Sequence, residues 1–211
     1  MKDNFPNLTV LDHPLIADKV TQLRDKNTPH YQFRSLLNEV SQFLFYEASR
    51  NLPLENTSIE TPLETMSAPR IQKEVLLAPI LRAGLGMVNS ITAVFPPVRV
   101  GMIGMYRDHD TLEPVDYYLR LPEDLSDKAV FLLDPMLATG GSAIDAIKKL
   151  KDHGAKKVIM IALICAPEGV SRLFEAHPDT PVFTAALDRQ LNDIGYILPG
   201  LGDAGDRYFG V

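Results

Sequence analysis

The chain has 211 residues, 45% of them hydrophobic and 23% charged, with a formal net charge of −6. This is the size and balance of one globular domain with a substantial core, so residues 1–211 are read as a single domain. The acidic balance shows no segregated basic face and argues against a nucleic-acid surface, and no run approaches the ~18 apolar residues of a membrane span.

The start, Met1-Lys2-Asp3-Asn4-Phe5-Pro6, lacks the apolar stretch of a secretory signal. With Cys165 as the single cysteine there is no internal disulfide framework, and a cytoplasmic location is expected. His13, His30, His109, His153 and His177 are scattered without metal-ligand spacing, so no protein-built metal site is expected.

In chain order, residues 14–49 predict two helices broken near Asn27-Thr28-Pro29. In the second, Phe33, Leu36, Leu37, Val40, Phe43, Leu44 and Ala48 recur at helical spacing. Residues 50–73, rich in Pro, Thr and Glu, read as loop or edge structure. Glu74–Ile80 reads as a short buried strand, followed by Leu81-Arg82-Ala83-Gly84-Leu85-Gly86 and a helix to about Val94. Two strand-like runs, 98–106 and 114–119, flank the polar segment Arg107–Glu113 and predict a projecting hairpin over about 98–121.

The apolar run Val130–Leu133 then leads into Asp134-Pro135-Met136-Leu137-Ala138-Thr139-Gly140-Gly141-Ser142. A helix face follows at Ala143, Ile144, Ile147 and Leu150, with Lys148, Lys149 and Lys151 near its end and Gly154 as a stop. Lys157–Leu163 reads as a buried strand, Glu168–Ala176 as a helix and Pro181–Ala185 as a strand. Alternation of this kind predicts an α/β fold, a mostly parallel twisted sheet flanked by helices with right-handed crossovers.

Three segments carry chemistry. In Asp134–Ser142 a carboxylate sits at the end of a buried strand, where open α/β sheets bind ligands. Gly140 and Gly141 let backbone approach an anion, and the next helix aims free N–H groups at it. Thr139 and Ser142 add hydroxyls, and Asp134 can accept from a ribose diol. The plain alternative is a turn with Thr or Ser capping a helix. The lack of Lys after the glycines excludes a Walker A loop.

Arg82–Gly86 likewise follows a strand, and its amides and guanidinium suit a diphosphate; otherwise it is an ordinary turn. The C-terminal region, about 187–211, is the third segment. Five of the 13 glycines fall in the last 17 residues, mixed with Tyr196, Ile197, Leu198, Leu201, Tyr208 and Phe209. This predicts a compact loop with exposed amides and carbonyls, suited to a planar base, or else a cap on the core.

Together, Leu81–Gly86, Asp134–Ser142 and Gly195–Gly210 resemble the uracil phosphoribosyltransferases, a type I phosphoribosyltransferase family, and the similarity extends to Met105–Arg107 and Thr111–Pro114. The wider fold usually has two adjacent acids where this chain has Asp134-Pro135, a departure that matches the uracil branch. The resemblance implies transfer of the phosphoribosyl group of 5-phospho-α-D-ribose 1-diphosphate (PRPP) to N1 of uracil, giving UMP and diphosphate. It implies Asp134, Arg107 and Asp203 as catalytic residues. PRPP would be held by Arg82, Arg107, Asp203 and the run Asp134, Pro135, Met136, Leu137, Ala138, Thr139, Gly140, Gly141 and Ser142, and uracil by Tyr196, Ile197, Gly202, Asp203 and Ala204. It further implies Mg²⁺ arriving with PRPP, a homo-oligomer, and GTP as an effector in some members. The competing readings are a phosphoribosyltransferase for another base and a regulatory protein that senses PRPP or UMP.

Overall fold

The structure is a computed structural model that describes residues 5–107 and 114–211, and in the hairpin strands the side chains of Tyr106, Arg107, Pro114 and Asp116 are not described. Of the polar tip expected at Arg107–Glu113, residues 108–113 lie outside the described residues.

Strand β1 (Leu8–Val10) precedes helices α1 (Pro14–Arg24) and α2 (His30–Ala48). Proline opens α1, where its missing N–H costs nothing, and the His13 ring accepts from Leu15 N at 3.2 Å. Pro29 forces extended backbone before α2, which explains the break between the helices. Phe33, Leu36, Leu37, Val40 and Leu44 then bury one face of α2.

Residues 50–73, expected as loop or edge structure, hold two strands. β2 (Leu54–Glu60) and β3 (Thr65–Ile71) form an antiparallel hairpin that makes a separate two-stranded sheet. Thr61 closes its turn, exchanging bonds with Glu64. Most of its positions are exposed, so no alternation of apolar and polar residues announces it.

The chain continues with β4 (Val75–Leu81), α3 (Leu85–Val94), β5 (Arg99–Val100), β6 (Met102–Arg107) and β7 (Pro114–Arg120). Then come β8 (Ala129–Leu133), β9 (Met136–Leu137), α4 (Gly141–Asp152), β10 (Val158–Cys165), α5 (Pro167–Ala176) and β11 (Val182–Leu187). The main sheet runs β1-β11-β10-β8-β4-β6-β7, parallel except for the β6–β7 pair, which is the predicted hairpin. A mostly parallel sheet buried on both faces needs continuous apolar strands, and β4, β8 and β10 are almost entirely buried.

Alternate residues of these strands feed two cores. Val75, Leu77, Phe131, Leu133, Ile161 and Leu163 meet α1, α2 and α3. Leu76, Ala78, Val130, Leu132, Met160 and Ala162 meet α4 and α5. Cys165 ends β10 fully buried, and that burial pushes its thiol up to about 12, so it is inert at neutral pH.

The strand order reverses beside β4. From β4 the chain crosses by α3 to β6 on one side; from β8 it crosses by α4 and α5 to β10 and β11 on the other. Helices therefore lie on opposite faces, and a crevice opens past the carboxyl ends of β4 and β8, where open parallel sheets place their ligands. The loops 81–84 and 134–140 leave the sheet at this point.

Candidate active site

A cleft of about 400 Å³ opens at the switch point, lined by Ala83, by Asp134 and residues 136–143 except Gly141, and by residues 194–197 and 202–205.

The first wall is the turn after β8. Asp134 is half-buried and folds back on its own loop, where its Oδ1 accepts from Met136 N at 3.2 Å. Pro135 is buried beneath, its carbonyl accepting from Leu163 N and Ile164 N at 3.0 and 3.1 Å, which ties the turn to β10. Gly140 takes φ +83° as the residue before α4, a conformation that an L side chain rarely adopts. The N–H groups of the first turn of α4 have no partner within the helix and carry the positive end of its dipole. This is the geometry of an anion cradle.

Helix α5 backs that cradle at backbone distance. Ala166 N donates to Leu137 O at 2.9 Å, and Arg172 Nη1 donates to Thr139 O at 2.9 Å. A Cβ on Gly169 would stand 2.1 Å from Ala138 O.

The second element is the turn after β4. Gly84 permits a contact no other residue allows, since a Cβ there would lie 2.5 Å from Leu133 O. The two strand-end loops thus touch through backbone. Arg82 is largely exposed, 3.3 Å from the Asp206 carboxylate and 5.9 Å from the Phe209 ring centroid.

The third is the C-terminal region. β12 (Gln190–Leu191) and β13 (Ile197–Leu198) pair, and α6 (Ala204–Phe209) closes the chain. Asn192 Oδ1 accepts from Ile194 N and Tyr196 N, shaping the 192–196 turn. Gly195, Gly200 and Gly202 take φ values of +80°, +66° and +80°. Asp203 caps α6, accepting from Asp206 N at 2.9 Å. Residues 202–205 line the cleft, and three of the four, Gly202, Ala204 and Gly205, carry little or no side chain to cover their backbone. Valine at 202 meets only Arg207 Cδ, at 3.5 Å, but forces a β-branched residue into positive φ at a cost of about 1–3 kcal/mol. On the resemblance's expectation that Gly202 helps to hold uracil, Gly202→Val should raise KM for uracil at least tenfold while KM for PRPP changes little. Steady-state kinetics in both substrates check this, and equal losses for both would point to misfolding of the tail.

Of the expected residues, the cleft brings together Asp134, Met136, Leu137, Ala138, Thr139, Gly140, Ser142, Tyr196, Ile197, Gly202, Asp203 and Ala204. Arg82, Pro135 and Gly141 do not line it: Arg82 turns toward Asp206, Pro135 lies under the turn, and Gly141 begins α4. The Arg107 side chain lies outside what is described. Ala83, Ala143, Ile194, Gly195 and Gly205 also line the cleft, though none of them is named individually among the expected site residues. The glycine density of the tail pointed toward Gly195 and Gly205, and nothing local marked Ile194.

This architecture is that of the type I phosphoribosyltransferases. The chain aligns with a solved adenine phosphoribosyltransferase from Trypanosoma brucei with a TM-score of 0.58 at 15% identity, covering 94% of this chain and 89% of that one. A sequence model described as uracil phosphoribosyltransferase matches residues 10–211, and the chain belongs to that family. It is 54% identical over 203 residues to a uracil phosphoribosyltransferase of Pediococcus pentosaceus, covering 96% of this chain and 97% of that one. A solved Aquifex aeolicus protein aligns with a TM-score of 0.93 at 40% identity, covering 97% and 98% of the two chains.

Proposed function

We propose that the three segments divide the labour of one reaction, in which the phosphoribosyl group of PRPP passes to N1 of uracil to give UMP and diphosphate. The observation that carries this is the meeting of the 134–142 turn and the glycine wall 194–205 across one cleft at the switch point. A sugar phosphate and a planar base must lie side by side for such a transfer, and two segments suited to them line one cleft.

The 5-phosphate sits on the first turn of α4, with Thr139 and Ser142 adding donors. Asp134 accepts from the ribose hydroxyls. Residues 196–204 read uracil through backbone donors and acceptors, so an N–H facing O4 would meet the amino group of cytosine and reject it. Arg82 and Arg107 meet the diphosphate, Arg82 leaving Asp206 to do so. An exposed ion pair of this kind costs only about 0–1 kcal/mol to break.

Departure of diphosphate leaves positive charge on the ribose ring. The chain's contribution is to hold uracil N1 in line with C1, to stabilise the leaving group by guanidinium and to keep the Asp134 carboxylate near the developing charge. Mg²⁺ brought with PRPP would supply positive charge to the departing diphosphate. Asp134 and Asp203, the two carboxylates that line the cleft among the described residues, are hard oxygen donors of the type that would hold such an ion.

Residues 1–211 act as one domain in the cytoplasm; no helix among the described residues is long and apolar enough to cross a membrane. The exposed side chains of Tyr46 and Val94 border an apolar groove with Phe45, Leu52, Ile71 and Phe95, which supports a homo-oligomer. GTP is carried as an effector in this reading, tested by UMP formation with and without it. The deciding assay mixes purified protein with uracil, PRPP and Mg²⁺. UMP and diphosphate are expected in equal amounts; saturable PRPP or UMP binding without turnover would turn the reading to a sensor, and turnover with another base alone would reassign the wall.

A further inference from the structure

Asp188 follows β11 and is 4% exposed at its side chain, yet it does not line the cleft. Its carboxylate takes both terminal nitrogens of Arg24, the last residue of α1, at 2.8 and 2.5 Å. The same carboxylate accepts from Gly200 N at 2.9 Å, while Arg24 Nη1 also donates to Gly200 O at 2.8 Å. One ion pair therefore holds both the N–H and the C=O of Gly200. Those groups belong to two successive peptide planes, so the pair sets the orientation of each.

Gly200 is itself in a confined turn, at φ +66° with a hypothetical Cβ 2.2 Å from Ile197 O. One residue on, Leu201 O accepts from Arg207 Nη1 at 2.8 Å, and Arg207 reaches back to the carbonyls of Leu23 and Asp25 at the end of α1. Three consecutive peptides, entering the wall formed by Gly202, Asp203 and Ala204, are thus pinned to the end of α1.

A buried ion pair is a poor source of stability, because well-packed apolar residues serve as well or better. Its geometric content is different: no apolar pair can orient a peptide N–H and a C=O together. We propose that Arg24 and Asp188 are positioning residues for the base, setting through Gly200 the backbone groups that read uracil. This rests on the assignment of residues 196–204 as the base wall.

The test uses Asp188→Asn, Arg24→Lys and the double variant Arg24→Met/Asp188→Leu. Asp188→Asn is expected to raise KM for uracil about 10–100-fold, the scale of an ångström misplacement. PRPP binding measured without uracil stays within about twofold of wild type. Arg24→Lys recovers part of the uracil KM, since lysine keeps the charge but not the planar fork. The double variant, freed of buried charge, regains thermal stability without regaining the uracil KM. Recovery of both together would make the pair merely structural and overturn the proposal, as would equal losses for uracil and PRPP. Hydrogen exchange supplies an arm independent of turnover: amides of 197–204 exchange faster in Asp188→Asn while those of 134–142 do not. Unchanged exchange at 197–204 overturns the brace. A wild-type protein that makes no UMP overturns the functional reading, and the exchange arm still decides the brace.

Discussion

Asp134→Asn is expected to lower uracil-dependent diphosphate release by about 10²–10³-fold with little change in the folded protein. The folded state survives because asparagine keeps the Oδ1 that accepts from Met136 N, and the buried backbone of the turn is held elsewhere, by Pro135 O and Ala166 N. What changes is the other oxygen, which becomes an amide NH₂. In the role proposed for Asp134, that group cannot accept from a ribose hydroxyl, and the negative charge beside the reacting sugar is gone. Charge is the larger effect: a neutral hydrogen bond contributes about 0.5–1.5 kcal/mol, whereas a preorganised charged contact at a developing cation contributes roughly twice that or more. Thermal unfolding within a few degrees of wild type, together with the rate loss, is the expected pair of results. Near-native turnover would remove Asp134 from the chemistry.

How much of this was legible in the sequence depends on how local the cause is. Residues 130–143 were readable because everything that shapes the turn lies within it: an apolar strand, a carboxylate, two glycines, then apolar residues at helical spacing. The break at Pro29 and the hairpin 98–121 were local in the same sense. The β2–β3 hairpin was hidden because its residues face solvent on both sides, and alternation has nothing to report when neither face is buried. The wall residues were suspected from glycine density, but what holds them was not. Arg24 and Asp188 are 164 positions apart, and Arg82 lies 124 from Asp206. No spacing rule connects such residues, and only the order in which the sheet places its strands brings them together.

Gly169 is a second case of distant cause, and it carries the other large expected effect. By local propensity, Gly→Ala inside α5 should stabilise the helix by about 0.5–1 kcal/mol. Packing opposes this. The added Cβ would lie 2.1 Å from Ala138 O, 2.9 Å from Ala138 C and 3.0 Å from Leu137 O, all of them backbone atoms that no rotamer change can remove. Relief requires α5 and the 137–140 turn to separate by about an ångström, and forced repacking of that size costs about 1–3 kcal/mol. The Ala166 N to Leu137 O and Arg172 to Thr139 O bonds resist the separation, so the turn yields rather than the sheet. The turn is the proposed 5-phosphate cradle, and an ångström of misplacement there can cost about 10²-fold in rate. Gly169→Ala is therefore expected to lower both Tm and kcat/KM for PRPP, while KM for uracil, read by the opposite wall, changes little. Circular dichroism melts and kinetics in each substrate check it. A raised Tm with unchanged PRPP kinetics would mean that helix propensity outweighs the close approach, and that the backbone contact between α5 and the turn does not set the shape of the cradle.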